Sequence, residues 1–468
     1  MGPIIHWFWR DLRVLDNAAL HAAYSRSGTV IPVFIWDDTH LDWPHLGPSV
    51  RTFLWGSLAA LGKNLELLGH RLIVRRGNPE VELVRLAREC GASTVFTNRD
   101  YEPATVGREQ RVAEALAADG RRLESFKDLV VWESREVLTG TGNPYTVYTP
   151  YSRAWRSRSL QPPWPKLGAA KTPAPKDLVS VPLESLKPPS TAAASHYPAS
   201  GEHAALESLK SFLASGVFRY DVGRDFPAIE GGTSQLSPHF RVGTLGIRTA
   251  LARLESAKSS GGASGENGCR IWENELIWRD FYMQVLANFP RVADSCFRPE
   301  YDSIQWSGTK DQFSAWCEGR TGYPIVDAAM RCLNATGGMH NRLRMIVAMF
   351  LTKDLMISWQ HGERYFFQHL LDADLAANSG GWQWSAGTGT DAAPYFRIFN
   401  PASQGAKFDP QGEFIRRWIP ELRDVPADLI QCPGDNPLLL SRTRYPAPIV
   451  DHAVQRGKCL AMFKAVRQ

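Results

Sequence analysis

Residues 321–400 read TGYPIVDAAMRCLNATGGMHNRLRMIVAMFLTKDLMISWQHGERYFFQHLLDADLAANSGGWQWSAGTGTDAAPYFRIFN. Pro324 suits a first helical turn, and apolar residues then recur at helical spacing until Gly337 and Gly338 stop the pattern. A second helix is predicted from Asn341 to about Trp359. It is apolar on nearly every side, so it should be buried, and each polar residue on it needs a partner or a function. Asn341, Arg344 and Met345 share one of its faces by i, i+3, i+4 spacing. Asp374, Asn378 and Trp382 would stripe a third helix, frayed at Gly380 and Gly381. A pairing of Arg344 with Asp372 or Asp374 reads equally well as a structural ion pair or as part of a site. Cation, amide and indole nevertheless converge inside an apolar body, and that convergence predicts a functional pocket.

The composition around this stretch is that of an ordinary globular protein, with 44% hydrophobic and 22% charged residues, and the 468-residue length suggests two or three domains. No apolar run reaches membrane-spanning length, and residues 1–5 begin like a strand with no basic leader, so a cytoplasmic protein is expected. The seven cysteines are scattered without CxxC pairs or histidine partners. That spacing argues against disulfides, zinc and iron–sulfur clusters, and no metal is expected. A net charge of +5 permits a polyanionic partner without requiring one.

Upstream, strands are predicted at Ile4–Phe8, Val30–Trp36, Arg71–Arg75 and Thr94–Thr97. Helical patterns separate them at Asn17–Ser25, Ser49–Leu68, Pro79–Cys90 and Gly107–Ala118. This alternation implies an α/β domain, doubly wound around a parallel sheet, over residues 1–131. With no GxGxxG after the first strand and no GxxxxGK[ST], a generic dinucleotide site or P-loop is not expected. Residues 132–201 form an interdomain linker, proline-rich from Leu160 to Ser200. From 202 to 468 strand signals almost vanish and a helical domain is expected. It should be interrupted by a flexible loop at Ser256–Gly268, run helical to Leu422, and close with a last helix near Asp451–Val466.

The strings GYPIVDAAMR, MHNRLRM, DLAAN-GGWQW and GTDAAPYFRIFNP closely resemble the flavin-binding domain of the DNA photolyase/cryptochrome family, and within it the class I cyclobutane pyrimidine dimer photolyases. WFWRDLRVLDN (7–17) and TGTGNPYTVYTPYSRAWR (139–156) extend the resemblance over nearly the whole chain. It implies FAD, light-driven repair of UV-damaged DNA by electron transfer from excited reduced flavin to a flipped-out dimer, and a monomer needing neither metal nor nucleophile. The alternatives are a cryptochrome-type blue-light photoreceptor and a (6-4) photoproduct photolyase.

YDVGRDFPAIEGGTSQLSPHF (220–240) offers hydroxyls and free N–H groups ahead of a helix, which suits phosphate and suits a plain N-cap as well. Here the resemblance implies FAD contacts at Tyr220, Thr233, Ser234, Gln235, Leu236 and Ser237. It implies further ones at Trp272, Arg279, Asn341, Arg344, Asp372, Ala373, Asp374 and Asn378, with Asn378 against the flavin N5. Gly338 stands where the family usually has tryptophan. The chain has sixteen tryptophans, most of them expected in packing. Trp306, Trp359 and Trp382 match the family's electron relay. For DNA the resemblance implies Glu275, Trp278, Asn341, Met345 and Trp384 at the lesion, and Arg224, Arg342, Arg397 and Lys407 on phosphates. A second, antenna chromophore is expected in the first domain, of 8-hydroxy-5-deazaflavin type rather than methenyltetrahydrofolate. That preference rests on residues 91–116 and 292–301, and on the absence of a Cys–Lys pair before Trp306. Trp9 stands where the family often has a basic residue.

Overall fold

The computed structural model describes residues 2–41, 46–189, 192–260 and 262–466. Met1, Gly261 and Gln468, which fall within the expectations above, lie outside the described residues. Five strands, β1 (Ile4–Phe8), β2 (Val30–Trp36), β3 (Ile73–Arg76), β4 (Thr94–Asn98) and β5 (Arg122–Phe126), form one parallel sheet in the order β3-β2-β1-β4-β5. Ile5 lies opposite Ile31 on one side and Val95 on the other. β1 and β2 are buried at every residue, as expected for central strands covered on both faces, and this made them legible as continuous apolar runs. β5, with the sequence RLESF, is only partly buried at the sheet edge and carries no such run. It was not predicted. β3 also begins two residues later than expected, at Ile73.

The described chain divides into two compact units. The first comprises residues 1–218, 234–290 and 371–373, and so contains the sheet. The second comprises residues 219–233, 291–370 and 374–468.

In the second unit the helix Pro324–Thr336 ends as expected, with Gly337 in the left-handed region at φ 68°. The next helix departs from expectation. It runs from Asn341 to Met349, widens into a π-helical turn at Phe350–Asp354, and stops. Met356 sits at φ 50°, and Trp359 opens a separate helix to His369. The wide turn buries Lys353 and Asp354 with partners: Lys353 Nζ donates to the Tyr395 carbonyl at 3.2 Å, and His452 Nδ1 lies 2.6 Å from Asp354. An uninterrupted α-helix would aim these two side chains elsewhere.

The glycine pair Gly380–Gly381 does not fray the helix Leu375–Ala386. Asp374 caps it through Oδ1 to the Ala377 N–H at 3.1 Å, and Gln383 Nε2 donates to the Val292 carbonyl at 2.9 Å. Asp374 is therefore the cap of this helix and lies outside its first turn. Ser256–Gly268 is not a loop, because helices occupy Ile247–Ser260 and Gly262–Asn288. The predicted last helix is present at His452–Ala465.

Candidate functional site

The residues expected to hold a flavin divide between the two units. Ser234, Gln235, Leu236, Ser237, Trp272, Arg279, Asp372 and Ala373 belong to the first; Tyr220, Thr233, Asn341, Arg344, Asp374 and Asn378 belong to the second.

In the first unit, Gln235 takes a left-handed backbone at φ 51°, which turns the chain between Ser234 and Leu236. The helix that follows, Ser237–Val242, has only six residues. Any anion held here would depend on loop hydroxyls and N–H groups, with little help from a helix dipole. Trp272 is buried against Phe212, ring centroids 5.3 Å apart. Arg279 Nη1 donates to the Leu129 carbonyl at 2.7 Å, and its guanidinium lies 5.6 Å from the Phe240 ring. Ala373 is fully buried.

In the second unit, Tyr220 is buried with the Arg224 guanidinium 5.6 Å from its ring. Asn341 opens its helix, and one turn on Arg344 Nε donates to the Met339 carbonyl at 2.8 Å. Asn378 is buried, and its Nδ2 donates to the Glu363 carbonyl at 2.9 Å and to Glu363 Oε1 at 2.8 Å. Among the described residues nothing donates to Asn378 Oδ1, so the end of this amide left for a ligand is an acceptor. Glu363 is itself buried, and burial pushes its carboxyl up to about 7. It fixes which way Asn378 points. The sequence reading missed it, although a glutamate flanked by Gly362 and an aromatic run on a buried helix was a signal.

Trp382 Nε1 and His340 Nε2 belong to the buried polar atoms of this unit that have no partner among the described residues. Burial pushes the His340 ring down to about 4, so it is neutral, and its Nδ1 accepts from the Arg342 N–H at 3.2 Å. The Asn378 oxygen, an acceptor that the chain leaves open, fits a cofactor that presents an N–H edge.

Trp359 and Trp382 are buried and Trp306 is half-buried. Trp382 packs edge-on to Phe366 at 5.0 Å and to Trp316 at 6.0 Å. Trp359 donates its indole N–H to Cys296 Sγ at 3.4 Å. No ring pair joins Trp306, Trp359 and Trp382 directly among the described residues. Gly362 is required beneath Trp382, since a Cβ there would lie 2.1 Å from the ring.

Of the residues expected on DNA, Arg342 and Lys407 lie against Phe408 in the second unit, and Met345 lies beside Arg342. The Arg342 guanidinium lies 4.4 Å and Lys407 Nζ 5.1 Å from that ring, and Arg342 Nη1 is 3.7 Å from Met345 Sδ. Arg342 also pairs with Asp225 at 2.6 Å. Arg397 is exposed and Trp384 half-buried. In the first unit, Glu275 and Trp278 lie on the helix Gly262–Asn288, and Trp278 stacks on Tyr148 at 3.7 Å and 4° between planes.

The carboxyl ends of the sheet strands hold a second polar cluster, at the place where parallel sheets bind ligands. Arg10 Nη1 bonds Glu102 at 2.8 Å, and Arg241 Nη1 bonds the same carboxylate at 2.7 Å. Arg108 is 3% exposed and lies 4.0 Å from the Trp9 ring, yet its Nε and Nη2 have no partner among the described residues. Burial pulls its guanidinium down to about 10, and burial with the nearby Arg108 pulls His40 down to about 4.

Two family models match the chain: DNA photolyase over residues 4–175, and the FAD-binding domain of DNA photolyase over residues 272–465. The chain belongs to the DNA photolyase family. It is 42% identical to a Vibrio cholerae protein named deoxyribodipyrimidine photo-lyase, over 98% of this chain and 99% of that one. A crystal structure of a bacterial class III photolyase from Agrobacterium tumefaciens superposes with a TM-score of 0.92 at 38% identity, covering 100% of this chain and 98% of that one. An archaeal photolyase from Sulfolobus tokodaii, whose structure is described as holding two FAD molecules, superposes at 0.85 with 32% identity, covering 99% and 100%.

Proposed function

We propose that this chain repairs cyclobutane pyrimidine dimers in DNA by light-driven electron transfer. The observation that carries the reading is the full-length likeness to proteins named deoxyribodipyrimidine photo-lyase. The chemistry supplied by bound FAD is donation of an electron to the dimer on absorption of light, and its recovery once the ring has opened.

The chain's own residues bind, orient and exclude. Tyr220, the 233–237 loop, Trp272, Arg279, Asn341, Arg344, Asp372, Ala373 and Asp374 hold the cofactor. Asn378, held by Glu363, would offer its amide oxygen to the flavin N5. Trp306, Trp359 and Trp382 would pass electrons from outside to the cofactor. Trp278, Trp384 and Met345 wall the lesion and Glu275 hydrogen-bonds it. Arg224, Arg342, Arg397 and Lys407 neutralise phosphates. The functional division of the chain is 1–131, 132–201 and 202–468, acting as a cytoplasmic monomer.

An antenna chromophore of 8-hydroxy-5-deazaflavin type would be held at the sheet's carboxyl end. Arg108, buried on Trp9 with two unpartnered nitrogens, supports an electron-rich planar group there. The second FAD of the Sulfolobus tokodaii relative makes a flavin the competing occupant. An absorption spectrum of the purified protein separates the two.

The function is tested with two matched duplexes, one holding a cyclobutane dimer and one a (6-4) photoproduct, each incubated in light and in the dark. Loss of the cyclobutane dimer in light alone supports the proposal. Repair of only the (6-4) lesion, or of neither by flavin-loaded reduced protein, overturns it.

A further inference from the structure

Trp278 is one half of a preformed pair. Its ring lies on Tyr148 at 3.7 Å with 4° between the planes, and the edge of Phe281 meets it at 5.5 Å. Tyr148 opens the helix Tyr148–Arg156, and its hydroxyl donates to the Asn274 carbonyl at 3.1 Å, one turn before Trp278 on the helix Gly262–Asn288. The far end of the short helix is fastened to the same long helix. Trp155 donates its indole N–H to the buried Asp280 at 3.0 Å, and Arg156 pairs with Glu273 at 2.9 Å. The phenol ring, on a helix fastened at both ends, therefore covers one face of Trp278. Trp278 itself stays half-exposed.

We propose that Tyr148 is a positioning residue for lesion binding: it fixes the Trp278 ring in place before DNA arrives, so that the flipped dimer meets an ordered platform. The inference rests on the reading of Trp278 as a lesion-contacting ring. A free tryptophan on a helix surface samples several rotamers, and a ligand that selects one must offset that ordering. Tyr148 removes this cost while the protein is still unbound. The phenol touches no part of the lesion and takes no part in ring opening.

The test is a double-mutant cycle on flavin-loaded full-length protein with Tyr148→Ala, Tyr148→Phe, Trp278→Ala and the Tyr148→Ala/Trp278→Ala pair. Binding is titrated on damaged and undamaged duplexes, and repair yield per photon is read at saturating substrate. Tyr148→Ala should weaken binding of the damaged duplex about three- to tenfold, the scale of ordering one side chain. It should leave the undamaged duplex and the saturated yield unchanged, and add no further loss to Trp278→Ala. Tyr148→Phe keeps the stacked ring and should restore the affinity. Tyr148→Leu, which fills the space without a plane, replaces the alanine variant if that one loses its flavin. Tighter damaged-duplex binding by Tyr148→Ala would mean that Tyr148 competes with the lesion for the ring, and the proposal falls. It falls also if the loss is equal on both duplexes or persists without Trp278. If Trp278→Ala itself leaves damaged-duplex binding intact, the lesion reading of Trp278 falls together with the inference. A normal Trp278→Ala loss beside an inert Tyr148→Ala overturns the inference alone.

Discussion

Two sets of buried polar groups, one in each unit, meet the same desolvation cost in opposite ways. In the first unit, Asp128 accepts from Arg13 at 2.7 Å and from Arg248 at 2.6 Å, and Arg248 also bonds Asp16 at 2.9 Å. All four side chains are buried, and each charge faces an opposite one. Burial alone would raise the Asp128 carboxyl, but Arg13 and Arg248 outweigh it and hold it below the usual carboxylate range. In the second unit, Trp382 Nε1 and His340 Nε2 are buried without partners among the described residues, and Asn378 uses only its Nδ2. A closed network is structure. Unsatisfied buried groups are rare in native proteins, and each one calls for a partner that the chain itself does not supply.

The closed cluster should break with the largest effect. Asp128→Ala leaves two guanidinium groups buried without their shared partner and should cost about 3–5 kcal/mol in urea denaturation. A loss below about 1 kcal/mol, the value of an exposed pair, would show that water reaches them.

The binding surface should respond next. Trp278→Ala should lower affinity for dimer-containing duplex about ten- to a hundredfold, since a base–aromatic contact is worth roughly 1–3 kcal/mol. Undamaged duplex, held by phosphate contacts, should bind as before in a salt-matched titration. An equal loss on both duplexes would remove Trp278 from the lesion pocket.

Gly362→Ala sharpens the contrast at the unpartnered Trp382 indole, because its Cβ would lie 2.1 Å from that ring. Overpacking of this kind should destabilise by about 1–3 kcal/mol in thermal melts. An unchanged midpoint would mean that the helix Trp359–His369 shifts freely.

The smallest effect is a pH dependence. The Glu363 carboxyl is raised to about 7 in the folded protein, against about 4.3 in an unfolded chain. Its contribution is therefore fully present below about pH 4.3 and lost as pH rises through 7. Glu363→Gln cannot titrate, so relative to the parent it should gain about 1–2 kcal/mol between pH 6 and pH 8. Parallel denaturation curves at the two pH values would show that the group is solvated.

Periodicity made the fold legible where one environment persists along an element. The apolar runs of β1 and β2, and the Pro324–Gly337 helix with its proline start and glycine stop, are of this kind. It failed where tertiary partners decide. The edge strand Arg122–Phe126 has no apolar signature, and the π turn at Phe350–Asp354 exists because Lys353 and Asp354 find Tyr395 and His452, far away in sequence. Candidate site residues came from the resemblance, and the structure added what holds two of them. Glu363 behind Asn378 and Tyr148 beneath Trp278 are contacts across 15 and 130 positions, beyond any local pattern.

The most direct measurement is a flash experiment on flavin-loaded, reduced protein bound to a duplex with one thymine dimer. The account predicts that each flash restores pyrimidine absorbance in proportion to the photons absorbed by the flavin, with no recovery in darkness. Flashes that excite the flavin and leave the dimer intact would contradict it.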